Sequence, residues 1–304
     1  MLLVDVLAGG VRGGTAIMFA ALGETVSERA GVVNLGTEGC MLLGALGGYA
    51  VAAETGSPWL GLLAGAAAGA LLAAVHALLV VWRDADQFAT GLTLMFLGLG
   101  LTSLYGAAYV GESAPGFAPV PVPVLADLPV AGEVLFRHGP VTYLAFAAAP
   151  ALWWWLRATK GGLLLRTAGE RADALVVHGH RPGLIRGLAV VAGGALAGVG
   201  GAQLATAYAH AWFEGMTAGR GFIAVSLVIF AAWRPLRVMA GSYLFGAALA
   251  LAPALQARGY ALNQFALDVL PFVITLVILA VLGRRTLRAA PAELRRVFQS
   301  ASSR

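Results

Sequence analysis

Nine apolar runs follow one another along the chain, at 4–23, 39–53, 59–81, 92–110, 141–156, 187–209, 222–238, 239–256 and 266–283. A helix crossing a bilayer needs about 20 predominantly apolar residues, so runs of this length and number leave little choice of environment. Only 12% of the residues are charged, against roughly 25% in an ordinary soluble domain. The reading is an all-α, polytopic membrane helix bundle of eight or nine spans, occupying 1–304 as one transmembrane domain. The run 222–238 is the weakest, because "FIAVSLVIFAAWRPLRV" holds only 11 residues before Trp233, Arg234, Pro235 and Arg237. It crosses as a short helix or as a broken one. "MLLVDVLAGG" has no basic leader and no small-residue cleavage site closing its run, so the first span is expected to be retained.

Basic residues set the orientation, because Lys and Arg accumulate in short cytoplasmic loops. Arg157, Lys160, Arg166, Arg171, Arg181 and Arg186 crowd 157–186, and a second basic cluster follows at 284–304. Both are expected in the cytoplasm, which requires four crossings between them. Counting back puts 111–140 outside and 24–38 on the cytoplasmic side, with parity reversing if 24–38 is re-entrant. On that map Arg12, Arg137, Arg220 and Arg258 alone among the basic residues lie elsewhere. The net charge of +5 is then a matter of membrane sidedness, and nucleic acid is not an expected partner.

One segment breaks the apolar pattern. "SERAGVVNLGTEG", Ser27 to Gly39, places Glu28, Arg29, Asn34 and Glu38 between two runs. Non-helical backbone at membrane depth is tolerated only where protein or a water-filled cavity covers it, so Asn34 and Glu38 either face a solute path or brace a helix break. The loop 111–140, "GESAPGFAPVPVPVLADLPVAGEVLFRHGP", is proline-rich and expected to be extended, as a docking surface or a spacer. Pairs of small residues at Gly44/Gly48, Gly65/Gly69 and Gly194/Gly198 would let helix backbones approach closely.

In 157–186, Thr167-Ala-Gly-Glu170 fits a capping box. Ala172, Leu175 and Val176 follow as an apolar stripe, and Gly179 and Pro182 supply a stop. This predicts an amphipathic helix of about three turns outside the bilayer, with a partner protein, its own bundle or lipid headgroups covering its stripe. In "WFEGMTAGRGF", Glu214 and Arg220 flank a glycine-rich turn, as a gate or as an ion pair within a structured loop. Neither a phosphate-cradling G-x-x-x-x-G-K-[ST] pattern, H-E-x-x-H nor G-x-S-x-G occurs, so no catalytic residue is assigned. The single Cys40 and the His178/His180 pair give no metal site.

Four segments together resemble one family: "LGETVSERAGVVNLGTEGCMLLGA", "LLLRTAGERADALVVHG", "GMTAGRGFIAV" with "WRP" behind it, and "LPFVITLVILAVLGRR" with "AP" at the tail. In order, they are similar to permease subunits of ABC importers for simple sugars and purine nucleosides, in the superfamily of ribose and branched-chain amino acid permeases. The resemblance implies a transport subunit with no cofactor of its own, in a bacterial-type plasma membrane. It implies a second permease subunit, a cytoplasmic ATPase that uses ATP, and an extracytoplasmic solute-binding lipoprotein. It makes the segment holding Gly169, Glu170, Ala172 and Gly179 the coupling helix that docks on the ATPase. Asn34, Thr37, Glu38 and Asn263 become candidates for the solute path, with Glu214 and Arg220 at the outer gate. Met95, Ala231, Ala232 and Asp268 depart from the family pattern. The alternatives are a branched-chain amino acid type permease and an ion-coupled secondary transporter; a membrane enzyme would lack a paired acid and base.

Overall fold

The computed structural model describes residues 2–260 and 289–302, with 269, 273, 274, 276 and 277 between them. The run at 266–283, with Asp268, and the path candidate Asn263 therefore lie outside the described residues. Helix α1 (Leu2–Arg29) is followed by α2 (Thr37–Thr55), α3 (Pro58–Trp82) and α4 (Gln87–Gly106). A loop segment then carries two residues of strand, β1 (Val120–Pro121), a short helix α5 (Ala131–Leu135) and β2 (Arg137–His138), and leads into α6 (Pro140–Ala158). Next come α7 (Lys160–Glu170), α8 (Ala172–Val177), α9 (Pro182–Gln203) with a π turn over Leu204–Ala209, α10 (Arg220–Phe230), α11 (Pro235–Gln256) and α12 (Ala292–Ser302).

Local chemistry sets several boundaries. Ser57 accepts from the Leu60 amide at 3.4 Å with Pro58 behind it, and Asp86 accepts from Ala89 at 2.9 Å, so α3 and α4 each start on a side-chain cap. Gly56 closes α2 in the left-handed region, φ 71°, which a glycine adopts without steric cost.

Helix α1 is the centre of the bundle. It is buried on every side from Gly13 to Glu28 because α9, α10 and α11 pack along it. The three small-residue pairs converge on one seam. A Cβ at Gly65 would stand 2.7 Å from the Gly44 carbonyl, and one at Gly69 would stand 2.8 Å from Cα of Gly198. Helices α2, α3 and α9 thus meet backbone to backbone, a contact that dispersion stabilises where lipid offers no hydrophobic driving force.

Five helices are long and apolar enough to cross a membrane: Leu2–Arg29, Pro58–Trp82, Gln87–Tyr109, Pro182–Ala209 and Pro235–Gln256. The chain is accordingly a multi-pass, all-α membrane bundle, with fewer full-length spans among the described residues than the eight or nine apolar runs suggested. The run 222–238 is not one helix. Pro235 has no amide proton and holds Arg234 extended at φ −106°, ψ 113°. Helix α10 therefore stops at Phe230, and 235–256 becomes one span. At 11 residues, α10 reaches about 16 Å, roughly half of a hydrocarbon core.

The proline-rich loop is folded onto the bundle rather than simply extended. Its β1 and β2 pair antiparallel, Phe117 donates its amide to Thr206 in the π turn at 3.0 Å, and the Phe117 ring meets Trp59 edge-on at 4.8 Å.

Candidate functional site

The segment 30–36 leaves α1 as a non-helical return, and its polar backbone is satisfied by side chains converging from three helices. Glu24 of α1 accepts the Asn34 amide at 2.7 Å and the Thr37 hydroxyl at 2.9 Å. Gln87 of α4 accepts the Val33 amide at 2.8 Å, and His76 of α3 bonds the Val33 carbonyl at 3.0 Å. Asn34 Oδ1 accepts from the Gly36 amide at 2.9 Å. Such pairing is what allows irregular backbone inside a membrane bundle.

Both ends of α10 are then gripped by the same motif. Glu38 accepts from the Thr217 hydroxyl at 2.6 Å, the Gly219 amide at 2.9 Å and the Gly221 amide at 2.6 Å. A carboxylate thus sits on the partial positive charge of a helix N-terminus. At the other end, Trp233 donates its indole N–H to Glu28, while Arg29 donates to the Trp233 carbonyl at 3.2 and 3.0 Å. Ala232 and Trp233 both hold positive φ, 51° and 54°, so this turn is a strained one held by its partners. The structure brings Asn34, Thr37 and Glu38 together, buried, with their polar atoms directed to partners within the chain.

Glu214 and Arg220 do not pair with each other. Glu214 accepts from the Ser103 hydroxyl, and Arg220 folds back on the Met216 and Thr217 carbonyls at 3.0 and 3.1 Å.

At the arginine-rich end, the predicted single helix is two. The cap is Thr159, whose hydroxyl accepts from Gly162 at 3.0 Å, so α7 begins seven residues before the expected start at Thr167. Thr167 lies inside α7 and bonds back to the Leu163 carbonyl at 2.8 Å. Arg171, at φ −149°, separates α7 from α8, and Gly179, at φ 76°, ends the segment. A groove of about 590 Å³ opens between the two helices, walled by Leu163, Leu164, Thr167, Ala174, Leu175 and His178. Val177, also on α8, is 84% exposed. The inner side is tied down: Gly169 abuts the Arg29 carbonyl with no room for a Cβ, Glu170 accepts the Ala292 amide at 3.2 Å, and Arg186 donates to Ala168 at 2.8 Å.

Sequence reasoning singled out Glu28, Arg29, Asn34 and Glu38 but not Trp233, which pairs with Glu28 and Arg29, nor Gln87 and His76, which hold the Val33 backbone between them. No local pattern marks Gln203 or His138, whose side chains are buried at the loop end.

A multi-pass bundle with a broken helix pair at its centre and an apolar groove at its arginine-rich end has the architecture of a membrane transport subunit. Residues 6–282 match the family described as "Branched-chain amino acid transport system / permease component", and the chain belongs to that family. It is 45% identical to the putative glucose ABC transporter permease protein TsgC13 of Haloferax volcanii, over 85% of this chain and 78% of that one. It is 35% identical to the guanosine ABC transporter permease protein NupQ of Bacillus subtilis, over 77% of each. The nucleoside ABC transporter permease protein NupC of Lactococcus lactis is 33% identical over 88% of each. No solved structure matches.

Proposed function

We propose that this chain forms one half of the translocation path of an ABC importer for a neutral, hydroxyl-rich solute, a simple sugar or a purine nucleoside. A second permease subunit completes the path, a separate ATPase drives it, and an extracytoplasmic solute-binding lipoprotein feeds it. The apolar α7–α8 groove, walled by Leu163, Leu164, Ala174 and Leu175 with Lys160 among its lining, is the observation that carries the reading. Short helices with an apolar outer face and an anchored inner face transmit force.

The reading places 157–186 in the cytoplasm and the loop 111–140 outside, in a bacterial-type plasma membrane. Helices α2 and α6, 19 residues each, then cross as well, and 210–219 with α10 makes one traverse as a loop and a half-helix. Broken helices at a substrate path are the usual arrangement in transporters. Gly169, Glu170, Ala172 and Gly179 form the coupling segment, and its contact with Arg29 passes a displacement to Trp233 and α10. Asn34, Thr37 and Glu38 brace that wall of the path; Glu214 holds 210–219 to Ser103 of α4, and Arg220 folds back on its other end at the start of α10.

The neutral solute is favoured over a branched-chain amino acid by one feature. An open half-helix N-terminus would receive a substrate carboxylate, but that of α10 already receives Glu38.

The test is solute uptake by cells expressing the complete transporter. Val177→Asp places a charge on the exposed face of α8 without touching the bundle, so uptake is expected to fall about tenfold or more while membrane insertion stays normal. Glu170→Ala combined with Gly179→Pro is expected to uncouple transport in the same way. Unchanged uptake in both would sink the coupling assignment.

A further inference from the structure

At the loop end, α1, α6 and the π turn after α9 enclose a cavity of about 200 Å³ lined by Arg12, His138, Thr142, Gln203, Tyr208 and His210 among others, under Phe117 and Pro119 of the loop. A larger neighbouring space of about 360 Å³ shares Arg12 and Arg137 with it, so the arginine pair stands between the two.

Two buried atoms without a hydrogen-bond partner among the described residues belong to residues lining the smaller cavity: Oε1 of Gln203 and Nδ1 of His138, each residue 1% exposed. Their chemistry can be assigned. The Gln203 amide nitrogen lies 3.4 Å from the Arg12 carbonyl, which accepts only, so the oxygen of the amide is the end left over. His138 Nε2 stands 2.7 Å from the Val134 carbonyl and must donate to it. Burial, with Arg12 nearby, pushes the His138 pKa down, so the ring is neutral near pH 7 and Nδ1 carries a lone pair. Both atoms are acceptors. Buried acceptors without donors are costly, and π turns recur at functional sites.

We propose that this cavity is an outer solute subsite, at which Gln203 and His138 accept hydrogen bonds from hydroxyl groups of the solute. The inference rests on the transport reading above and names the chemistry recognised at one point of the path. A cavity this small holds a ring bearing hydroxyls, with the rest of a larger solute extending past Arg12 into the neighbouring space. A solute that only accepts hydrogen bonds would leave both atoms unpaired.

The experiment measures uptake by the complete transporter of tritiated guanosine against 2′,3′-dideoxyguanosine, and of glucose against 2-deoxyglucose. Wild type is expected to favour the hydroxylated form of its solute by about tenfold or more, since a site built to bond a hydroxyl rejects the analogue lacking it by up to about 10⁴–10⁵. Gln203→Leu and His138→Phe are expected to bring that ratio towards one, with normal insertion. Should Gln203→Leu fail to reach the membrane, His138→Phe, outside the long helices, carries the test. An unchanged ratio, or equal loss for both members of a pair as a structural role or a merely hydrated cavity would give, overturns the subsite alone. Absence of uptake of all four solutes by wild type overturns the transport reading and this inference with it.

Discussion

Glu38 shows how one residue can serve two elements at once. It lies in the first turn of α2 and holds the start of α10 through three hydrogen bonds, one of them to a residue 183 positions away. Glu38→Ala leaves the Thr217 hydroxyl and two amides unpaired, at a cost of about 3 kcal/mol or more. The expected outcome is a clear fall in the melting temperature of the purified chain in detergent, together with loss of uptake. Ala232 gives a prediction of the opposite sign. Its φ of 51° disfavours any residue with a Cβ, by about 1 kcal/mol, so Ala232→Gly is expected to raise the melting temperature. Ala231 and Ala232 are also among the positions that depart from the pattern of the sugar and nucleoside permeases the chain resembles. That Glu28, Arg29, Asn34 and Glu38 were out of place was legible, since charge and amide at that position demand a reason. Their partners were not legible, because periodicity and spacing report only on neighbours.

Among the elements, the α7 boundary was misplaced for a local reason. Thr167-Ala-Gly-Glu170 has the capping-box residues, while Thr159-Lys-Gly-Gly162 lacks the acid at the third helical position. Thr159 nevertheless caps, because α6 ends at Ala158 and the chain must turn there. Thr159→Ala is expected to cost about 1 kcal/mol and to speed amide exchange in the first turn of α7, with no change at Thr167. The stop at Gly179 was legible because a left-handed residue is a local demand. The seam of α2, α3 and α9 was half legible: the small-residue pairs were visible, their mutual contacts were not. Gly198→Leu drives a side chain into Gly65 and Gly69, and overpacking of about 1–3 kcal/mol should appear as poor recovery of folded chain. The same change at Gly100, which has open space around it, should leave recovery unchanged.

At the scale of the whole molecule, sidedness is testable because the native Cys40 is buried and gives no labelling background. A membrane-impermeant maleimide should label Val124→Cys on intact cells, and Val177→Cys only after the membrane is opened; the reverse pattern would invert the orientation. The apolar runs and the basic clusters made the membrane bundle readable from sequence, because lipid immersion is a compositional demand on every exposed residue; its transport class was readable only through the four segments similar to sugar and nucleoside permeases. How many runs become full spans was not readable: Pro235 and the turn before it divide 222–238, and the tertiary partners Glu28 and Arg29 hold that division in place. The proline-rich loop likewise looked extended by composition, yet Phe117 anchors it to the π turn. Sequence by itself therefore determined the solvent this protein lives in and the family to which it is similar. Only the tertiary structure decided which buried polar atoms are matched within the chain and which, as at Gln203 and His138, are left to accept a hydrogen bond. That matching depends on side chains brought together from distant helices, which no local pattern encodes.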